Sequence, residues 1–139
     1  MNPLKRTLSL LAVLVLLGSC EKAIEKEAED LVLQAMTSGQ WKITNFVQNG
    51  NNITADFATY RFKYYNNKTV DAINNGTVEQ TGQWDGNANA QTTWANFNGA
   101  VHPISLINGT WNIVNNSWTY VTATQNVGGE TKTMRLDKE

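Results

Sequence analysis

One cysteine, two prolines and one histidine are all that 139 residues hold of the types that carry cross-links, rigid turns and most metal or proton-transfer chemistry. A single thiol excludes an intramolecular disulfide framework and leaves a cysteine-based metal site or catalytic thiol without support. The one histidine, His102, stands before Pro103 in a long connection. Without a second imidazole or thiol there is no zinc pattern, and no Ser-His-Asp arrangement is legible. Charge of one sign is missing too: the formal net charge is −1, and acids balance bases from Gln40 onward. A neutral domain lacks the basic surface that nucleic acid requires. Asp56, Asp71, Glu79 and Asp85 are the carboxylates from which a glycosidase pair would have to be drawn. Alternation sends Asp71, Glu79 and Asp85 to the face opposite Val70, Val78 and Trp84, the solvent side. The expectation is a non-enzymatic protein with no cofactor and no metal.

Long apolar runs are scarce as well. One exists, Leu8 to Leu17 in "MNPLKRTLSLLAVLVLLGSC", preceded by Lys5 and Arg6. Its length is about half of the roughly 20 residues that a membrane-crossing helix needs, and with its basic start it reads as a signal peptide over residues 1–19. The small pair Gly18-Ser19 followed by the only cysteine is similar to the lipobox of bacterial lipoproteins. That resemblance implies that Cys20 becomes the lipidated first residue of the mature chain, carrying acyl chains such as palmitate and holding the protein to a membrane. The implied address is the cell envelope, lipid-anchored, at the outer membrane on its periplasmic face or at the cell surface.

Residues 20–37 form the next unit. "EKAIEKEAED", residues 21 to 30, is acidic, and Ile24, Ala28, Leu31 and Ala35 recur at helical spacing beside Val32 and Met36, with no Gly or Pro before Gly39. A helix over about 23–36 is expected, leading from the membrane and laying an apolar stripe on the domain. A partner-binding helix is the competing reading of the same stripe.

From residue 38 to 139 the composition turns to Asn, Thr, Gly and aromatics. Eight short alternating runs, about 41–48, 59–65, 69–74, 77–84, 91–97, 110–115, 117–124 and 131–137, are separated by "NGNN", "NNK", "NNG", "DGNAN", "NN" and "NVGG". Asn and Gly at such places supply the positive φ of tight hairpins. The segment 99–109 reads as a longer connection with one helical turn. Eight successive antiparallel strands with short connections predict an all-β, up-and-down barrel preceded by a short helix, because closure removes exposed strand edges. Large side chains share one face of several runs: Tyr60, Phe62 and Tyr64; Val78 and Trp84; Trp111 and Ile113; Met134 and Leu136. Eight strands enclose an interior wide enough for side chains or one small ligand. Asn-x-Ser/Thr triplets begin at Asn52, Asn67, Asn75, Asn108 and Asn115; the Asn-rich composition accounts for them by chance.

Gly-x-Trp occurs three times, as Gly39-Gln40-Trp41, Gly82-Gln83-Trp84 and Gly109-Thr110-Trp111. The intervals are unequal, so this is no repeat. Together "GQWKI", "FATYRFKYYNNKTVDA", "TGQW" and "LINGTW" resemble the small lipocalin-like lipoproteins of Gram-negative bacteria, with an opening Trp, an aromatic strand, a turn into Thr-Val-x-Ala and a late Leu-x-x-Gly-x-Trp. The sequence lacks the Thr-Asp-Tyr signature of true lipocalins. For the late arginine that packs on the first Trp in that family, only Arg135 is available, and alternation turns it away from Met134 and Leu136. The resemblance implies a lipocalin-like barrel that binds a small apolar or amphiphilic ligand, with Trp41, Tyr60, Phe62, Tyr64, Trp84 and Trp111 as candidate interior residues. The same aromatics would equally serve as plain core. Trp94 lies on the face opposite Ala95 and Phe97, and Trp118 shares a face with Tyr120. These three are the candidate surface for an envelope protein, which makes a filled barrel acting as an interaction module the second reading and a carbohydrate-binding module the third.

Overall fold

The computed structural model describes residues 22–139; the expected signal peptide and the expected lipidation site, Cys20, lie outside the described residues. A helix, α1, covers residues 22–37 and is followed by β1 (Trp41–Gln48), β2 (Asn51–Asn52), β3 (Tyr60–Tyr64), β4 (Thr69–Asn74), β5 (Thr77–Asn87), β6 (Thr92–Asn96), β7 (Gly109–Asn116), β8 (Tyr120–Val127) and β9 (Glu130–Lys138). All pairings are antiparallel between sheet neighbours, and β1 pairs with β9, so eight strands close into an up-and-down barrel with β2 as a short extra strand on β1. Asn49-Gly50 and Asn75-Gly76 turn two of the hairpins with positive φ at both residues, the geometry that matches strand twist.

The two seams of β1 differ. With β9 the register runs from Trp41↔Lys138 to Gln48↔Lys132, whereas with β3 the one registered pair is Trp41↔Phe62. Beyond that pair β1 and β3 diverge, and the gap is filled by a 3-10 turn, Thr54–Phe57, whose Phe57 is fully buried. A second 3-10 turn, Ile104–Ile107, buries Ile104 and Ile107 at the same end of the barrel; it is the helical turn expected within 99–109. This end is the floor. The opposite end, where β1 begins and β9 finishes, receives α1 and is the mouth.

A bulge overturns one expectation drawn from simple alternation. The β4–β5 register shifts between Ala72 and Ile73, so Val78 pairs with Ile73, on the outer face, and is 51% exposed. Val78 therefore does not share Trp84's interior face. The extra residue, Glu79, is exposed, as alternation expects; burial first, and then this carboxylate, push the Tyr60 phenol up to about 12. A second bulge, between Ile43 and Asn45, keeps Trp41, Ile43 and Phe46 all buried, which strict alternation forbids. The run at 117–124 is displaced too. Trp118 and Thr119 belong to the β7–β8 turn, and β8 begins at Tyr120.

Two Asn-x-Thr triplets have a structural cause rather than a chance one. The Asn52 carboxamide oxygen accepts from the Thr54 amide at 3.0 Å and its hydroxyl at 2.7 Å, and Asn67 does the same for Thr69 at 3.1 and 2.6 Å. These side-chain turns start the segments that follow.

Candidate functional site

Each Gly-x-Trp places an indole inside the barrel, and the glycines at 82 and 109 are required for different reasons. Trp41, Trp84 and Trp111 are all fully buried or nearly so. A Cβ at Gly82 would stand 2.6 Å from the Asn96 carbonyl and 2.7 Å from the Phe97 ring, so the close packing of β5 on Phe97 requires glycine. Gly109 has φ 104°, and a Cβ there would meet the Gln125 amide nitrogen at 2.6 Å. That amide donates to the carbonyls of Asn108 and Thr110, both at 3.1 Å, fixing the path into β7. The three indole N–H groups donate to main-chain carbonyls: Trp41 to Met36 at 2.9 Å, Trp84 to Tyr65 at 3.2 Å and Trp111 to Ile107 at 2.7 Å.

Trp41 joins helix to barrel. Its ring lies under the Lys138 ammonium, 5.0 Å from Nζ to centroid. Lys138 also donates to the Ala35 carbonyl at 2.8 Å, and Lys63 to the Thr37 carbonyl at 3.3 Å. Two cations at the helix C-terminus satisfy its free carbonyls and complement its dipole. The expected candidate for a cation on Trp41, Arg135, is elsewhere: it covers the outer-facing ring of Tyr120 at 4.5 Å and pairs with Asp137 at 2.8 and 2.9 Å. Sequence alternation located Arg135 outside but overlooked Lys138, whose signal is its register opposite Trp41.

The aromatics divide into two groups. On the floor side Phe46 stacks on Phe57 at 4.8 Å and meets Trp111 edge-on at 6.0 Å, and contacts at 6.4 to 6.5 Å continue from Phe57 through Tyr60 and Phe62 to Phe97. On the mouth side Tyr64 meets Trp84 at 5.2 Å, nearly perpendicular. Between the mouth and Trp111 lies a cavity of about 360 Å³. Its base is Ile107 and Trp111; its sides include Tyr64, Trp84, Thr93, Ala95, Val121, Ala123, Met134 and Leu136, the last two registered opposite Ala123 and Val121; Leu31, Val32 and Met36 of α1 lie across its opening. Of the six candidate interior residues, Tyr64, Trp84 and Trp111 line this cavity. Trp41, Tyr60 and Phe62 are packed into the wall and floor and do not.

Trp94 and Trp118 border the mouth and are 39% and 52% exposed. Tyr120 is half-buried under Arg135 and is not part of that exposed pair. Polar side chains at the rim are Asn87, Gln91, Thr92, Asn116 and Ser117. No lining residue of the cavity carries a formal charge. Burial alone pushes the Tyr64 phenol far above its ordinary value, and the Thr93 hydroxyl donates to the Asp85 carbonyl at 3.0 Å.

The remaining ionisable groups serve the walls. Lys68 and Asp85 pair at 2.8 Å outside Trp84, and that bond holds the Asp85 carboxyl below its ordinary value. Lys132, nearly buried, donates to the Leu106 carbonyl at 3.0 Å over the Trp111 ring, and desolvation pulls its ammonium down. His102 meets Asp56 at 2.7 Å, linking the two 3-10 turns on the exposed side of the floor. Among the described residues no three His, Cys, Asp or Glu side chains gather as metal ligands would. The arrangement is that of a closed β-barrel with a filled floor and an apolar, uncharged chamber under its helix.

No family model matches the chain, and no curated protein is significantly similar to it in sequence. A crystal structure of a DUF4847 family protein from Bacteroides vulgatus is similar in fold, with a TM-score of 0.55 at 13% identity, covering 78% of this chain and 97% of the other. At that identity the likeness concerns the path of the chain.

Proposed function

We propose that this protein is a lipid-anchored lipoprotein of the cell envelope, tethered through Cys20 and lipocalin-like in design, whose barrel holds a small apolar or amphiphilic molecule without transforming it. The observation that carries the reading is the chamber of about 360 Å³ walled by Tyr64, Trp84, Trp111, Met134 and Leu136 beneath α1. That volume is within the range of small-molecule sites, roughly 300–1,000 Å³, and such sites combine apolar walls with a few polar groups. Groups for acid–base or nucleophilic chemistry do not converge on it. The outer membrane is the address that the signal peptide and lipobox-like cysteine support.

Binding is tested by tryptophan fluorescence, since Trp84 and Trp111 line the chamber. A panel of apolar and amphiphilic compounds is expected to quench or shift the emission. Ala123→Phe, which puts a ring into the chamber, is expected to abolish the response, with Ala123→Leu as the milder variant. A flat response across the panel from the parent protein sinks the ligand reading. The anchor is tested separately. Cys20→Ser is expected to prevent acyl incorporation, and several acyl chains hold a protein where one binds only reversibly. Unchanged mass and membrane fractionation would refute it.

A second reading, favoured by the exposed rings of Trp94 and Trp118, is that the mouth docks an envelope protein, since aromatic anchors dominate interfaces. Trp94→Ala and Trp118→Ala are then expected to leave the fold intact and remove a co-purifying partner.

A further inference from the structure

We infer that the chamber selects an electrically neutral, single-chain amphiphile with a hydroxyl-bearing head, of the monoacylglycerol or long-chain alcohol class, over fatty-acid anions and alkylammonium cations. The inference rests on the ligand-binding reading above and adds the chemistry of the ligand. Its first support is the lining, in which no residue carries a formal charge. An ion drawn inside would lose hydration, and the one ammonium nearby, Lys132 across the Trp111 ring, is outside the lining and already engaged by the Leu106 carbonyl at 3.0 Å and Glu130 at 3.9 Å, so no free counter-charge replaces it.

Partial entry, with a charged head left at the rim, gains no counter-charge either. The helix across the mouth carries Glu25, Glu27, Glu29 and Asp30 against Lys22 and Lys26. Lys68, the cation on the mouth side of Trp84, is held by Asp85 at 2.8 Å. With Lys63 and Lys138 at the C-terminal end of the same helix, these charges balance, and Lys63, Lys68 and Lys138 are each already engaged. A charged head of either sign therefore meets no net opposite charge at the rim to replace its hydration.

What the rim offers is amide and hydroxyl: Asn87, Gln91, Asn116 and Ser117. These both donate and accept, so they suit hydroxyl groups, which do the same. Below them the wall turns to carbon, because the Trp84 and Trp111 indole N–H groups already donate to the Tyr65 and Ile107 carbonyls. From Asn116 at the rim to Trp111 at the base, β7 runs roughly 16 Å. A chamber of about 360 Å³ over such a depth takes one extended hydrocarbon chain and leaves no room for a second.

The test uses three probes with one alkyl chain and different heads, monolaurin, laurate and dodecyltrimethylammonium, titrated below their micelle-forming concentrations into the full chain while tryptophan emission is followed. Monolaurin is expected to bind at least tenfold more tightly than either ion, and Ala123→Phe to abolish its binding. Asn116→Lys, at an exposed strand end, is expected to narrow the preference over laurate several-fold. Equal or tighter binding of laurate or dodecyltrimethylammonium by the parent overturns the neutral-head inference and leaves the ligand reading standing. A laurate affinity unmoved by Asn116→Lys overturns the assignment of the head to the rim. Failure of all three probes, together with a flat response across the wider panel, overturns this inference and the ligand reading together.

Discussion

The floor and the mouth of this barrel are built from the same strands, yet one is solid and the other hollow. On the floor two 3-10 turns fold inward, and a chain of aromatic contacts from Trp111 through Phe46 and Phe57 to Phe97 fills the space. At the mouth the strands end in short turns, and a separate helix lies over the opening with part of its apolar stripe, Ile24 and Leu31, still exposed. Packing to crystal-like density gives the floor its rigidity. A mouth covered by a helix that is anchored at its C-terminal end has an element able to shift without unravelling the barrel. Dense packing and open volume are thus separated along one axis.

The largest test of that separation is Phe46→Ala. Phe46 touches Phe57 and Trp111, and the truncation is expected to cost about 3–5 kcal/mol, read as a lower midpoint in chemical denaturation. A loss below about 1 kcal/mol would mean that the floor is not the stabilising half. Next comes Gly82→Ala. The added methyl meets the Asn96 carbonyl and the Phe97 ring below van der Waals contact, and overpacking of this kind costs about 1–3 kcal/mol. The same change at Gly76, where a Cβ would meet nothing within 4 Å, separates crowding from backbone strain, since Gly76 has φ 80°.

Alkaline titration sharpens the comparison at a smaller scale. The Tyr60 phenol, pushed up to about 12 by burial and then by Glu79, stays protonated in the folded chain above 10, where an unfolded tyrosine ionises. Stability is therefore expected to fall as pH rises from 10 toward 12. Glu79→Gln removes the carboxylate and is expected to bring the Tyr60 transition down, as seen by phenolate absorbance. On the mouth side Trp118→Ala should change stability by no more than about 0.5 kcal/mol, because half the residue is already in solvent. A larger loss would make Trp118 part of the core. The smallest effect belongs to Asp85. Its carboxyl is held low by Lys68, so the pair's contribution is present above the ordinary carboxylate value and is lost as pH falls through the lowered one. For so exposed a pair this amounts to a few tenths of a kcal/mol, and Asp85→Asn should abolish that part of the acid dependence.

Much of this was legible before any coordinates, and for a definable reason. Period-two alternation and Asn-Gly turns are local properties, so eight strands, their antiparallel order and closure without crossovers followed from them; the helical spacing of Ile24, Ala28, Leu31 and Ala35 is local too and placed a helix over about 23–36, which the structure has over 22–37. Burial of the three Gly-x-Trp indoles was legible from the shared face of each strand. A bulge is not local in this sense. It depends on whether the neighbouring strand supplies a partner, and so Val78 went to the outer face against the alternation. The sequence by itself also determined the neutral charge, the lack of a histidine or cysteine cluster and the lipobox-like start. Tertiary structure alone decided which aromatics fill and which surround a space. Phe62 and Tyr64 are two residues apart on one face of β3, yet Phe62 packs against Phe97 and Tyr64 looks into the chamber. The difference arises because the inward 3-10 turns lie at one end of the barrel, and a strand cannot encode what stands at each of its ends.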